Sequence, residues 1–133
     1  MLYYVLSERI TLSHDMRALL YIGIVNSTKE YVNAAVKNDT EKTVAGAVYR
    51  IIDNGDTVYI DFLWVSGELR GQGIGEKLIN YMKEKAAALN CRRIQFYTVA
   101  YQAPGFYRKM GFTLTGTSPW ENTTQFDYEL AVN

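Results

Sequence analysis

The stretch Arg70-Gly71-Gln72-Gly73-Ile74-Gly75 constrains this chain more than any other. A strand pattern precedes it, Val58-Tyr59-Ile60-Asp61-Phe62-Leu63-Trp64-Val65. A helix pattern follows, with Ile74, Leu78, Met82, Ala86 and Leu89 on one face. A strand, a glycine-rich turn and a helix N-terminus make an anion site. The first-turn N–H groups have no intrahelical acceptor and point outward along the dipole. Glycines let a bulky phosphate approach the backbone, because no Cβ stands in the way. Arg70 adds a planar fork of donors suited to phosphate oxygens. A P-loop requires Lys and Ser/Thr after its last glycine, whereas Gly75 is followed by Glu76 and Lys77. Glycines at 71, 73 and 75 also miss the G-x-G-x-x-G spacing of a dinucleotide turn. A glycine-rich turn without a ligand is the plain alternative.

At 133 residues and 48% apolar content the chain is expected to form one domain, residues 1–133, with a proper core. Its 14 basic and 14 acidic residues cancel, which argues against nonspecific nucleic-acid binding. A single cysteine, Cys91, excludes an internal disulfide framework and fits a reducing compartment. No apolar run reaches the roughly 18 residues of a membrane helix, and no cleavable signal is visible. The expectation is a cytoplasmic protein with neither nucleic-acid nor membrane partners, and no metal site is assigned.

Met1 to Leu6 reads as a first strand. Thr11 or Ser13 caps an expected helix running to about Val25, striped by Met16, Leu19, Leu20 and Ile24 and broken at Asn26-Ser27-Thr28. Tyr31–Val36 and Thr43–Ile52 read as strands, with a turn at Asn38-Asp39-Thr40. Asp53-Asn54-Gly55-Asp56 is a hairpin signal. The strand from Thr57 to Val65 has apolar residues on both faces, as a covered central strand does, and Asp61 is the odd carboxylate within it. A strand over Ile94–Val99 and a helix over Ala103–Met110 follow; Pro104 suits the first helical turn and Gly111 the C-terminal cap. Phe112–Thr117 and Thr124–Val132 close as a hairpin, with Pro119-Trp120 in a loop. This order describes an α/β fold, antiparallel hairpins leading into strand-helix-strand-helix-strand.

The glycine stretch resembles the Arg/Gln-x-x-Gly-x-Gly/Ala signature of the GNAT family, the Gcn5-related N-acetyltransferases, through Arg70, Gly73 and Gly75. Ala103-Pro104-Gly105-Phe106-Tyr107-Arg108-Lys109-Met110-Gly111-Phe112 resembles its later Ala-x-x-x-Tyr-x-x-x-Gly-Phe signature. The two are ordered and spaced as in the family. The resemblance covers the chain from about Lys42 onward. It implies the GNAT fold: a mixed, mostly antiparallel central sheet, splayed near the acetyl-CoA site, with helices on both faces. It also implies acetyl-CoA as cosubstrate, its pyrophosphate held by Arg70, Gly71, Gln72, Gly73, Ile74 and Gly75. The pantetheine arm would pair with the backbone of Leu63, Trp64 and Val65, much as an added strand does. A bulge near Asp61 to Leu63 would be a natural cause of the splay.

Acetyl transfer to an amine requires more than holding the thioester. By the resemblance, the Leu63 N–H polarises the carbonyl oxygen, and Tyr107 is the general acid that protonates the leaving thiolate. Otherwise Tyr107, one of 11 tyrosines, simply packs in the core. An alkyl amine has a pKa of about 10.4, so a base or water chain must take its proton. Asp61 is the only carboxylate in the strand where relatives often carry a glutamate; it is that base, or a salt-bridged surface aspartate. Where the family often has an asparagine, this chain has Ala100, and Gln102 stands nearby as a partial substitute. The Tyr101-Gln102-Ala103-Pro104 run is similar to a bacterial subgroup of small GNAT proteins.

Arg108 and Lys109 either meet the cofactor's 3′-phosphate or are solvated helix charges. His14 reads as a surface residue and Cys91 as an inert thiol. Trp64, Tyr97, Tyr101, Phe106 and Trp120 are core aromatics or line an acceptor pocket. The expected activity is direct transfer from acetyl-CoA to a primary amine of a small or polyamine-like molecule, by an enzyme that is monomeric or a homodimer. A non-catalytic acyl-CoA sensor would keep Arg70, Gly73 and Gly75 yet show no turnover, and a nucleotide-binding module lacks its P-loop lysine.

Overall fold

The computed structural model describes residues 5–9, 20–27, 31–40, 42–67, 71, 73–99 and 104–132. Among them lie eight strands and two α-helices. The chain divides into two compact units, and both strand β5 and helix α1 pass from one to the other.

The first unit holds β1 (Val5–Arg9), β2 (Leu20–Ser27), β3 (Val32–Asn38), most of β4 (Thr43–Ile52), the later part of β5 (Thr57–Val65) and the start of α1 (Ile74–Ala88). Its strands run in the order β1-β2-β3-β4-β5, and β1 to β4 are antiparallel neighbours. The helix expected to reach Val25 is overturned from Leu20 onward, because these residues form β2. Leu20 and Ile22 are both buried at strand spacing, and the β-branched Ile22, Ile24 and Val25 favour extended backbone. Their backbone groups join β3 from Leu20↔Asn38 to Ser27↔Val32. At the expected break, Asn26-Ser27-Thr28, the register shifts between Ile24 and Asn26 and β2 ends at Ser27, while Thr28 lies outside the described residues. The earlier part of that expected helix, with Thr11, Ser13, Met16 and Leu19, lies outside the described residues.

The turns follow their sequence signals. Asn38 Oδ1 accepts from the Thr40 and Lys42 N–H groups, each at 3.0 Å, and from the Thr40 hydroxyl at 2.8 Å. Asp53, Asn54 and Gly55 all take positive φ, a conformation that these residue types tolerate best, and bring the chain into β5. On α1, Ile74, Leu78, Met82 and Ala86 of the expected stripe are buried, and Ile79, outside that stripe, is buried with them. Leu89 is 58% exposed, because the helix ends at Ala88 and Leu89 lies beyond it. The expectation that β5 is covered on both faces holds only as far as Ile60. Asp61 and Phe62 are exposed in succession, Phe62 by 58%, and so break the strand's alternation.

The second unit contains the first residues of β5, the end of α1, β6 (Arg93–Thr98), α2 (Pro104–Lys109), β7 (Thr113–Trp120) and β8 (Thr123–Ala131). Its strand order is β5-β6-β8-β7. β5 and β6 are parallel, which needs a crossover that α1 supplies; β8 is antiparallel to both β6 and β7. The parallel ladder pairs Thr57↔Arg93, Val58↔Ile94 and Tyr59↔Gln95, although β5 continues to Val65 and β6 to Thr98. Val58, Ile94, Phe96, Phe112, Tyr128 and Leu130 build the core of this unit. Helix α1 ends in a Schellman closure: Asn90, with φ of 60°, donates to Ala87 O at 3.0 Å, and the Cys91 N–H reaches Ala86 O at 2.9 Å. Trp120 is the last residue of β7 rather than a loop residue. The strands make a mixed, mostly antiparallel sheet, and no helix of the described residues is long and apolar enough to cross a membrane.

Candidate active site

In the first unit, the glycine-rich turn has the backbone that its composition demands. Gly71 and Gly73 take φ of 77° and 85°, where a side chain would be strained. Among the described residues, no atom lies within 4 Å of where a Cβ on Gly71 would stand. Gly73 O accepts from Lys77 N–H at 3.1 Å, so Gly73 is the N-cap residue immediately before α1. Ile74 and Gly75 therefore occupy the first turn, whose N–H groups face along the helix dipole. Ile74 is buried and anchors the helix start, whereas Gly73 and Gly75 are half-buried. Arg70 and Gln72 lie outside the described residues, as do Gln102, Tyr101, Ala103 and His14.

Leu63, Trp64 and Val65 form the half-buried end of β5. Trp64 lies over Gly46 of β4: a Cβ on Gly46 would stand 3.0 Å from the indole Nε1 and 3.2 Å from Ala34 O. Glycine in a strand interior often marks such a close approach, and that signal was readable beforehand. The Ser66 N–H donates to Val44 O at 2.8 Å and holds the end of β5 to β4.

Asp61 is not isolated among apolar neighbours. Arg50 of β4 donates its Nε–H to both carboxylate oxygens, at 3.2 and 3.0 Å. Arg50 is the partner that sequence reasoning missed. The two residues lie on the strands that flank the Asp53-Asn54-Gly55 turn, and opposite charges on the two arms of a hairpin were the available signal.

In the second unit, Tyr107 occupies the third-last position of α2. Helix α2 closes with a Schellman motif, in which Phe112 N–H donates to Tyr107 O and Gly111 N–H to Arg108 O, each at 3.0 Å. Gly111 carries φ of 97°. The Tyr-x-x-x-Gly-Phe spacing thus has a backbone cause: glycine supplies the left-handed residue, and Phe112 packs back on Tyr107, with ring centres 6.4 Å apart.

The Tyr107 ring also meets Phe96 at 4.8 Å, Tyr128 at 5.2 Å and Phe106 at 5.5 Å. Burial raises its phenol above the ordinary value of 10.0, so the phenol holds its proton throughout the neutral range. Phe96 and Tyr128, missed beforehand, sit at inward positions of β6 and β8. Arg108 and Lys109 are exposed at the helix C-terminus, where cations favour the dipole. Tyr97 and Trp120 are each 40% exposed, with ring centres 5.8 Å apart. Cys91 is buried, and its thiol is pushed up by burial and then by the Asp56 carboxylate. A thiol so placed is protonated and inert.

Comparisons with known proteins point one way. Residues 6–112 match the model of the acetyltransferase (GNAT) family. A blasticidin-S acetyltransferase of Streptomyces morookaense is 36% identical over 63 residues, 47% of this chain; the match spans 46% of that relative, under half its length. The peptidyl-lysine N-acetyltransferase YjaB of Salmonella typhimurium is 29% identical over 108 residues, covering 71% of this chain and 72% of the relative. The crystal structure of an acetyltransferase from Bacillus cereus superposes with a TM-score of 0.69 at 30% identity, over 77% of this chain and 73% of that one. The glycine turn opening α1, the tyrosine at the end of α2 and the family model agree: this chain belongs to the acetyltransferase (GNAT) family.

Proposed function

We propose that the chain transfers an acetyl group from acetyl-CoA, the cosubstrate of its family, to a primary amine by direct attack. The observation that carries this reading is Tyr107, a phenol protonated at neutral pH, pushed up further by burial and held by the helix closure at Gly111. A sensor that only binds acyl-CoA has no use for a proton donor so held. Residues 71 and 73–75 would meet the pyrophosphate, together with Arg70 and Gln72. The backbone of Leu63, Trp64 and Val65 would hold the pantetheine arm, with Gln102 as a further contact; the short β5–β6 ladder, ending at Tyr59↔Gln95, supports this.

The amine nitrogen would attack the thioester carbonyl carbon, and the Leu63 N–H would steady the oxygen as it gains charge. On collapse the C–S bond breaks and the thiolate takes the phenolic proton of Tyr107. The amine loses its own proton to Asp61 through water, or to bulk solvent. The Arg50 contact occupies both Asp61 oxygens, which favours solvent as the acceptor.

The relatives are named for blasticidin S and for peptidyl-lysine, and both names fit an amine acceptor. A small-molecule amine is the reading taken here, with exposed Tyr97 and Trp120 as rim candidates. Cys91, the single cysteine and a buried one, suits a cytoplasmic protein.

Thiol release from acetyl-CoA with a panel of amines tests the activity. Tyr107→Phe is expected to lower kcat by about 10²-fold, and to remove a decline at high pH that the wild type shows as the phenol ionises. Asp61→Asn is expected to change kcat little if solvent takes the amine proton. Absence of turnover with every amine, despite saturable acetyl-CoA binding, would establish the sensor instead.

A homodimer would use β7, the outermost strand of its unit, whose residues Thr113–Trp120 carry no charge and are mostly exposed. Sedimentation at micromolar concentration is expected to give a dimer mass; a monomer mass throughout removes this assembly.

A further inference from the structure

Phe96 and Tyr128 are direct register partners on β6 and β8. Their rings stack nearly flat, 5.2 Å apart at 13°, and both residues are buried. The Tyr107 ring lies tilted against both, at 53° to Phe96 and 41° to Tyr128. Phe112 closes one side, edge-on to Phe96 at 5.0 Å, and Phe106 stands at 70° to Tyr107. A tyrosine side chain has two rotatable bonds before its hydroxyl. The helix closure fixes the backbone of Tyr107, and the two-ring platform restricts both rotations. We infer that Phe96 is a positioning residue for acetyl transfer, holding the Tyr107 phenol where the leaving thiolate meets it, with Tyr128 completing the platform.

This inference rests on Tyr107 being the proton donor. A ring that merely fills the core would be indifferent to whether residue 107 carries a hydroxyl. A positioning ring would not, because displacement of a reacting group by about 1 Å costs on the order of 10²-fold in rate. The test is a mutant cycle on the full chain, read by kcat and by KM for acetyl-CoA. Phe96→Leu keeps apolar volume and removes the ring.

In the wild-type background Phe96→Leu is expected to lower kcat by about tenfold and move KM by less than about twofold. In the Tyr107→Phe background it is expected to lower kcat no further. Tyr128→Leu in the same two backgrounds gives the same pattern, and decides the matter should Phe96→Leu fail to fold. An equal loss of kcat in both backgrounds, or none in the first, overturns the positioning role while leaving Tyr107 as donor. An unchanged kcat in Tyr107→Phe alone overturns the donor, and the platform's role with it.

Discussion

At Tyr107 a single phenol is set by three different neighbours: the helix closure through its carbonyl, the Phe96 and Tyr128 rings against its face, and burial around its hydroxyl. Only the first was legible in the sequence, as the Tyr-x-x-x-Gly-Phe spacing. The rings come from strands 11 residues before and 21 after it, a juxtaposition that pairing register alone creates. Asp61 gives the opposite lesson. The sequence left it as a base or a salt-bridged aspartate, and the ion pair with Arg50 of β4 bears out the second reading, whose partner had not been named.

Cys91 offers a residue-scale test. Burial and the Asp56 charge raise its folded pKa above the ordinary 9.0. The unfolded chain therefore releases the thiol proton first. The resulting stability is fully present below about pH 9 and is lost as pH rises through the folded value. Denaturant midpoints from pH 7 upward should fall more steeply for wild type than for Cys91→Ala; parallel slopes would contradict the assignment.

Among the elements, those with strong punctuation were readable: β4 and β5 joined at Asp53-Asn54-Gly55, α1 behind its glycines, and α2 between Pro104 and Gly111. β2 was not. Met16, Leu19, Leu20 and Ile24 satisfy a helical stripe while Leu20, Ile22 and Ile24 alternate, and only the β3 ladder decides between the two patterns. Likewise the exposed Phe62 reflects the loss of alternation at Asp61-Phe62, which composition does not announce. The closure of α2 yields an element-scale prediction. Gly111 has φ of 97°, and a Cβ there would stand 3.0 Å from Leu130 Cδ1. Gly111→Ala is expected to cost about 1–3 kcal/mol by chemical denaturation, the range for strained left-handed residues. A change under about 0.5 kcal/mol would mean that the closure does not hold α2 as described.

At the scale of the whole molecule, the glycine turn and the tyrosine helix belong to different compact units, and β4, β5 and α1 each have residues in both. Family membership follows from the match over residues 6–112, and acetyl-CoA is the ligand on which every proposed role depends. The most direct test is calorimetric titration of acetyl-CoA into wild type, Gly73→Ala and Gly73→Glu, each shown to be folded. Gly73 has φ of 85°, so alanine reports the strain of adding any side chain, and glutamate adds a negative charge where the pyrophosphate should lie. Saturable binding by wild type, weaker binding by Gly73→Ala and none by Gly73→Glu is the predicted result. No binding by folded wild type, or equal binding by the two variants, would contradict the site and leave the family resemblance to describe the fold alone.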